Sequence, residues 1–496
     1  MRYPTNWCLA LSILTFFPPT ASPAPIQAPY APACIIGAGP AGLTAAAKLQ
    51  EKGIDAIVFE KQPDIGGKCQ SYYDEEGIFH PLGAAFFSNA TYPQTLKVVD
   101  ESGVSIEEFA LAGAREQFRF NITTGETEAL PAPSAQFLQL VQAEIPRYIQ
   151  LWNQVFAPIS TTSYKKGVPN NLTVSGTEWF TTNGFRALPI LLVNALALYG
   201  YGDIRQVPAL YILQYFTPDI LTGFVGQHNV YYTDFNKIWK EWAKKKLCKV
   251  PIKTSHEIRC IDRSGKNPVI KYTYPHKNFY AWDKQECSAL IFAFPPTIEN
   301  LERAGLDITE QENEVFKDVT INNYFSSAVE LALPFGVSYI ANSSGPGVPP
   351  PDLGEPVAVL RLSAESNIST SWSWGPDGEF KSESSAREQL NITMSQLNKD
   401  PRNTTATGEA LTESDIRAFR KWDYFPHFNS EPLKNGAYDK LNKLQGCNRS
   451  YWASGLQGME IVEWAIRAGQ DVVDSYFAVA TQETGYIGKD PNTPRR

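Results

Sequence analysis

Histidine, methionine and cysteine are scarce in this chain, at 5, 3 and 7 of 496 residues, and its 44 basic residues are outnumbered by 52 acidic ones. The resulting net charge of −8 leaves no basic footprint for nucleic acid, which is therefore not an expected partner. No internal repeat or low-complexity tract is present, no metal site is expected, and no apolar run is long enough to span a bilayer. Charged residues at 19% and hydrophobic residues at 43% exclude a disordered or fibrous chain. The length exceeds what one hydrophobic core usually organises, so two domains are expected.

What is present begins with a targeting pattern. Arg2 precedes the apolar run "WCLALSILTFF", and "PPTASPA" supplies small residues around Ala21, which reads as a signal peptide within residues 1–24. Eight N-x-[ST] triplets, at Asn89, Asn121, Asn171, Asn342, Asn367, Asn391, Asn403 and Asn448, agree with a secreted or secretory-lumen glycoprotein. The chain finishes "PNTPRR", without a receptor-read retention tail. Cys34 and Cys260 read as small apolar core residues, while Cys248 and Cys287 flank a β-rich segment and could pair in an oxidising compartment.

The chemistry starts at "CIIGAGPAGLTAAAKLQEKGIDAIVFE", Cys34 to Glu60. A short apolar strand ends in Gly37-x-Gly39-x-x-Gly42: one glycine for the tight turn, one for close approach to a pyrophosphate, one for helix packing. A helix from about Pro40 to Lys52 would aim its N-terminal N–H groups at phosphate. A second strand leads to Glu60, a carboxylate placed for ribose hydroxyls and against a 2′-phosphate. Gly66 and Gly67 follow, and Lys68 adds a cation.

These residues resemble the dinucleotide motif of the flavin-containing amine oxidase superfamily, which continues from G-x-G-x-x-G into E-[RK]-x4-GG-[RK]. The resemblance implies FAD and a two-domain α/β fold: a discontinuous Rossmann-like FAD-binding domain over 30–90, 245–300 and 440–485, and an α+β substrate domain over 91–244 and 301–439. It also implies FAD contacts at the backbone of Gly83, Ala84 and Ile258, and at Met459 and Glu460 where a last helix opens. Cys69, just after the glycine pair, is a candidate for a covalent flavin link.

One departure matters. Typical amine oxidases place a lysine on a strand roofing the flavin, whereas "YFSSAVEL" offers Ser326 and Ser327, and no lysine lies between Lys317 and Lys381. "KWDYFPHF" and "NRSYWASGLQGMEIVEWAI" are more similar to the fungal β-cyclopiazonate dehydrogenase-like branch. That resemblance implies hydride removal from a C–H or C–N bond of a hydrophobic secondary metabolite; the alternatives are a redox-neutral isomerase of polyunsaturated fatty acids and an amine oxidase. Molecular oxygen is one candidate electron acceptor. His427 and Tyr424 are the candidate catalytic groups, with His80 a second candidate base, and Trp452 is read as a core residue or a neighbour of the flavin ring.

Overall fold

The computed structural model describes residues 31–111, 115–121, 124–341, 356–375 and 382–478. The expected signal segment, Asn342 with the Pro-rich loop around it, and residues 479–485 lie outside these.

Five parallel strands form the first sheet, in the order Ile252–Lys253, Ala56–Phe59, Ala33–Ile36, Ala289–Phe292, Ser450–Trp452. All side chains of Ala33–Ile36, Ala56–Phe59 and Ala289–Phe292 are buried, which is why these strands read as unbroken apolar runs rather than alternating ones. The chain thus leaves the sheet after its second strand and returns to it twice, from distant segments. The helix Pro40–Glu51 begins with proline in its first turn and is followed by Gly53 at φ +71°, as the turn chemistry demands. The last helix, Val462–Tyr476, lies so close against it that a Cβ on Gly469 would sit 2.1 Å from the Ala41 carbonyl oxygen. Buried Leu43, Leu49 and Ile466 belong to this core, each contributing about 1.5–3 kcal/mol on burial.

A seven-stranded sheet forms the second layer, ordered Ile416–Phe428, Val319–Glu330, Ile368–Gly375, Ala358–Leu360, Val337–Ala341, Glu116–Phe120, Thr127–Ala129. Alternation splits its two faces. Phe325 and Val329 join the core that includes Leu390 and Met394 of helix Glu383–Leu397. Tyr324, Trp372 and Trp374 turn the other way, toward Leu198 at the end of helix Leu188–Leu198. The short helices Ala209–Tyr215 and Pro218–Phe224 complete the wall opposite. The chain is therefore a mixed α/β protein with a Rossmann-like parallel sheet and a second, α+β part. Helix Pro93–Ser102 lies against both Val462–Tyr476 and Phe235–Lys246, so the expected boundary at residue 90 falls short of helices that pack on the parallel-sheet unit.

The cysteine expectation is corrected. Cys34 bonds Cys287 across the adjacent strands of the parallel sheet, with Cα atoms 5.6 Å apart, and Cys248 is an exposed thiol. Strand adjacency, invisible in the spacing of the cysteines, decides the pairing: Ala33 lies opposite Ala289, which leaves the neighbouring residues within bridging reach.

Candidate functional site

Both layers open onto one cavity of about 590 Å³. At one end it is lined by Gly37, Gly39, Glu60, Gly67, Lys68 and Ile258; Gly83 and Ala84 follow, then Gly455 and Glu460. At the other end stand Tyr92, Tyr199, Tyr201, Tyr215, Phe224, Tyr324, Trp372 and Tyr424.

The first end is shaped by backbone. Gly37 adopts φ +109°, and a Cβ there would meet the Ala293 carbonyl oxygen at 2.6 Å. Gly42 does not line the cavity; its missing side chain lets the helix approach the Gly37 carbonyl, where a Cβ would fall at 2.0 Å. Gly66 also sits behind the wall, donating its N–H to the Ala38 carbonyl at 2.8 Å, while Gly67, φ +56°, packs against Gly39, where a Cβ on Gly67 would fall 2.9 Å from the Gly39 Cα. Glu60 is buried and accepts the N–H groups of Ala38 and Gln62, each at 2.8 Å. Burial raises its pKa above the ordinary carboxylate value against the pull of those bonds.

Lys68 and Glu460 are paired at 3.1 Å inside the cavity, and the second carboxylate oxygen of Glu460 is buried without a partner. Side-chain-free backbone at Gly39 and Gly67 on the cavity wall, a ribose-directed acid and an orphaned polar oxygen fit a bound dinucleotide with polar groups at both ends. Glu460 precedes the last helix, whose N-cap is Ile461, rather than opening it. Met459 is buried and does not line the cavity.

Strand Ile416–Phe428 carries Tyr424 to the aromatic end. A bulge near Phe425, which holds φ +52°, shifts the register with Val319–Glu330, so that Tyr424 stands opposite Asn322 and His427 opposite Thr320. The Tyr424 hydroxyl donates to that of Tyr201 at 3.1 Å, which donates to the Glu460 carbonyl at 3.1 Å. Burial pushes both phenols well above their usual pKa, so both stay neutral.

His427 is corrected: it does not line the cavity. Its Nδ1 donates to the Phe425 carbonyl at 2.7 Å, its Nε2 meets the Thr320 hydroxyl at 3.2 Å, and its ring stacks on Phe425 at 4.2 Å. Both nitrogens are occupied, and burial lowers its pKa to about 4. A depressed histidine pKa means that the unfolded chain binds the extra proton first. Stability is therefore full above the unfolded value of 6.5 and declines as pH falls toward 4, by on the order of 3 kcal/mol. We expect His427→Phe to flatten that part of a pH-stability profile and to leave turnover within about threefold of wild type; a loss of turnover near a hundredfold would restore His427 as the base.

The remaining candidates are placed as follows. His80 is fully buried, bonded through Nε2 to Asp74 and Ser366, outside the cavity. Trp452 is a core residue stacked on Phe292 at 4.4 Å. Cys69 lines the cavity, but burial pushes its thiol up to about 12, which suppresses the thiolate a covalent link requires. Ser326, where a roofing lysine was sought, donates to the Leu82 carbonyl at 2.6 Å. Tyr92, Tyr199, Tyr201 and Tyr215 were not singled out by sequence. The only signal for the last three is the tyrosine density of "ALYGYG" and "YILQYF", and Tyr92 has none.

The profile of the NAD(P)-binding Rossmann-like domain matches residues 35–102. An FAD-dependent oxidoreductase, dpchF of Colletotrichum higginsianum, is 23% identical over 441 residues, covering 85% of this chain and 88% of that protein. The beta-cyclopiazonate dehydrogenase of Aspergillus flavus is 22% identical, covering 84% and 87%. Over most of its length the chain is thus similar to FAD-dependent oxidoreductases. Among solved structures, a CLA-producing fatty acid isomerase from P. acnes is similar with a TM-score of 0.73 at 21% identity, covering 90% of this chain and 99% of that one. Putrescine oxidase follows at 0.59 and 15%, covering 90% and 98%. Gly39, Gly67, Glu60 and Lys68 line the end of the cavity that would hold the FAD, and the aromatic residues line the other end.

Proposed function

We propose that the enzyme removes a hydride from a C–H or C–N bond of a hydrophobic secondary metabolite. The observation that carries this reading is the aromatic end of the cavity, where Tyr92, Tyr199, Tyr201, Tyr215, Phe224, Tyr324, Trp372 and Tyr424 stand together and the phenols of Tyr201 and Tyr424 stay neutral. Such a wall stabilises apolar surface and offers neutral hydroxyls for orientation. When bound, FAD supplies the hydride acceptor. The chain's part is to position the substrate carbon, exclude water with its aromatic wall, and orient through Tyr424, whose own proton is held by Tyr201.

We further place the enzyme in the secretory lumen or outside the cell. The buried Cys34–Cys287 bond suits an oxidising compartment, and Asn89, Asn121, Asn171, Asn367, Asn403 and Asn448 are exposed, with Asn391 half-buried. No helix among the described residues is long and apolar enough to cross a membrane.

Anaerobic mixing of the holoenzyme with candidate metabolites tests the reading. Lasting bleaching of the flavin with an oxidised product supports it. A rearranged product with the flavin still yellow would assign isomerisation instead, and bleaching by small primary amines alone would assign amine oxidation.

A further inference from the structure

The strands Glu257–Asp262, Val269–His276 and Phe279–Glu286 form a separate three-stranded sheet whose last strand is an unpaired edge. Its last two strands pair as an eight-residue hairpin, roughly 26 Å long at the usual rise. Against the ordinary rule, that hairpin exposes Phe279 at 59%, Tyr280 at 72% and Trp282 at 64%.

The register explains which side is bare. Tyr272 and its neighbours turn inward, with the Tyr272 ring 5.0 Å from Phe59 of the parallel sheet. Thr273 lies opposite Trp282, Pro275 opposite Tyr280 and Lys271 opposite Lys284, so these share the outward face. Phe279 and Lys277 sit at the tip. Lys271, Lys277 and Lys284 are exposed and have no ion-pair partner among the described residues. The nearby acids are engaged elsewhere: Asp283 accepts the Tyr272 hydroxyl on the inward side, Glu257 pairs with Arg259, and Glu286 holds Asn267 at the base.

We propose that this hairpin docks the enzyme on an anionic lipid surface, its three aromatic rings entering the headgroup boundary and its three lysines meeting the lipid phosphates. Aromatic rings with a polar edge settle at that boundary, and lysines with long stems reach past them to the charged layer. Lys277 at the tip and Lys271 and Lys284 along the face give the hairpin positive charge on a chain of net charge −8, which orients the approach. No N-x-[ST] triplet falls on the hairpin, so a glycan coat leaves it uncovered. A second copy fits less well. A two-fold contact would set Lys271 and Lys284 against their own equivalents, while the carboxylates of that face, Asp262 and Glu286, are held at its base by Ser264 and Asn267.

The test is flotation of the purified holoenzyme with vesicles of phosphatidylcholine alone or with phosphatidylserine added. We expect at least about tenfold more binding to the serine-containing vesicles, decreasing as salt rises. Phe279→Ser/Tyr280→Ser/Trp282→Ser should lose about tenfold on both vesicle types, while Lys271→Gln/Lys277→Gln/Lys284→Gln should lose the lipid-charge and salt dependence. Because these positions are exposed, both variants should keep their flavin spectrum, which verifies the fold. Absence of wild-type binding, or variants that bind as wild type does, overturns the proposal. So does a wild-type dimer that the aromatic variant converts to monomer in light scattering, since the face would then belong to a second copy.

Discussion

Gly39→Val should give a folded protein that has lost its flavin, with FAD affinity lowered by a hundredfold or more. Gly39 has φ −76° and ψ 179°, an extended conformation open to any residue. A Cβ built there meets only the Gly67 Cα, at an ordinary 3.7 Å. Nothing in the protein opposes a side chain at this position, unlike Gly42, where the Gly37 oxygen would stand at 2.0 Å. The one occupant that a valine would strike is the pyrophosphate that the glycine turn admits. Unchanged circular dichroism and a colourless preparation are the expected pair of results. A yellow Gly39→Val protein would mean that the dinucleotide does not run along the cavity wall at Gly39.

Arg263→Leu should destabilise the enzyme by about 3–5 kcal/mol, the usual cost of stranding a buried charge. The Arg263 side chain is 1% exposed and bonds both oxygens of Glu312, also 1% exposed, at 2.5 and 2.8 Å. It also reaches Asp307 and the Ser450 hydroxyl at the start of the last parallel strand. Removing it leaves Glu312 buried without its counter-charge and loosens the segment that returns the chain to the cofactor. A urea melt of the holoenzyme reads the loss. Arg263→Leu/Glu312→Leu, which removes both charges, should recover a large part of it, and equal midpoints for the single and double variants would argue against the buried pair as the cause.

The dinucleotide end was legible in sequence because its physics is local: a strand, a glycine turn, a helix and an acid lie within Cys34–Glu60, and each element binds its neighbour in the chain. The two returns of the chain to that sheet, near Ile252 and Ser450, were readable through family resemblance, since their signals are single short strands. The substrate end was only partly legible. Tyr92, Tyr201 and Tyr424 come from three distant segments and meet through the opposition of two layers, which no local pattern encodes. His427 and Tyr424 illustrate the limit: three residues apart on one strand, only Tyr424 lines the cavity, while His427 is held by the Phe425 carbonyl and the Thr320 hydroxyl, partners that no local pattern announces. The disulfide failed for the same reason, because strand order and not cysteine spacing brings Cys287 beside Cys34.

The central claim is that this cavity holds FAD for hydride transfer, and its most direct test is to denature the purified full chain and identify the released chromophore by mass. The account predicts FAD, in amounts near one per chain and freely extractable, because the Cys69 thiol is held un-ionised. Release of a nicotinamide dinucleotide, or of no nucleotide from a folded preparation, would contradict it.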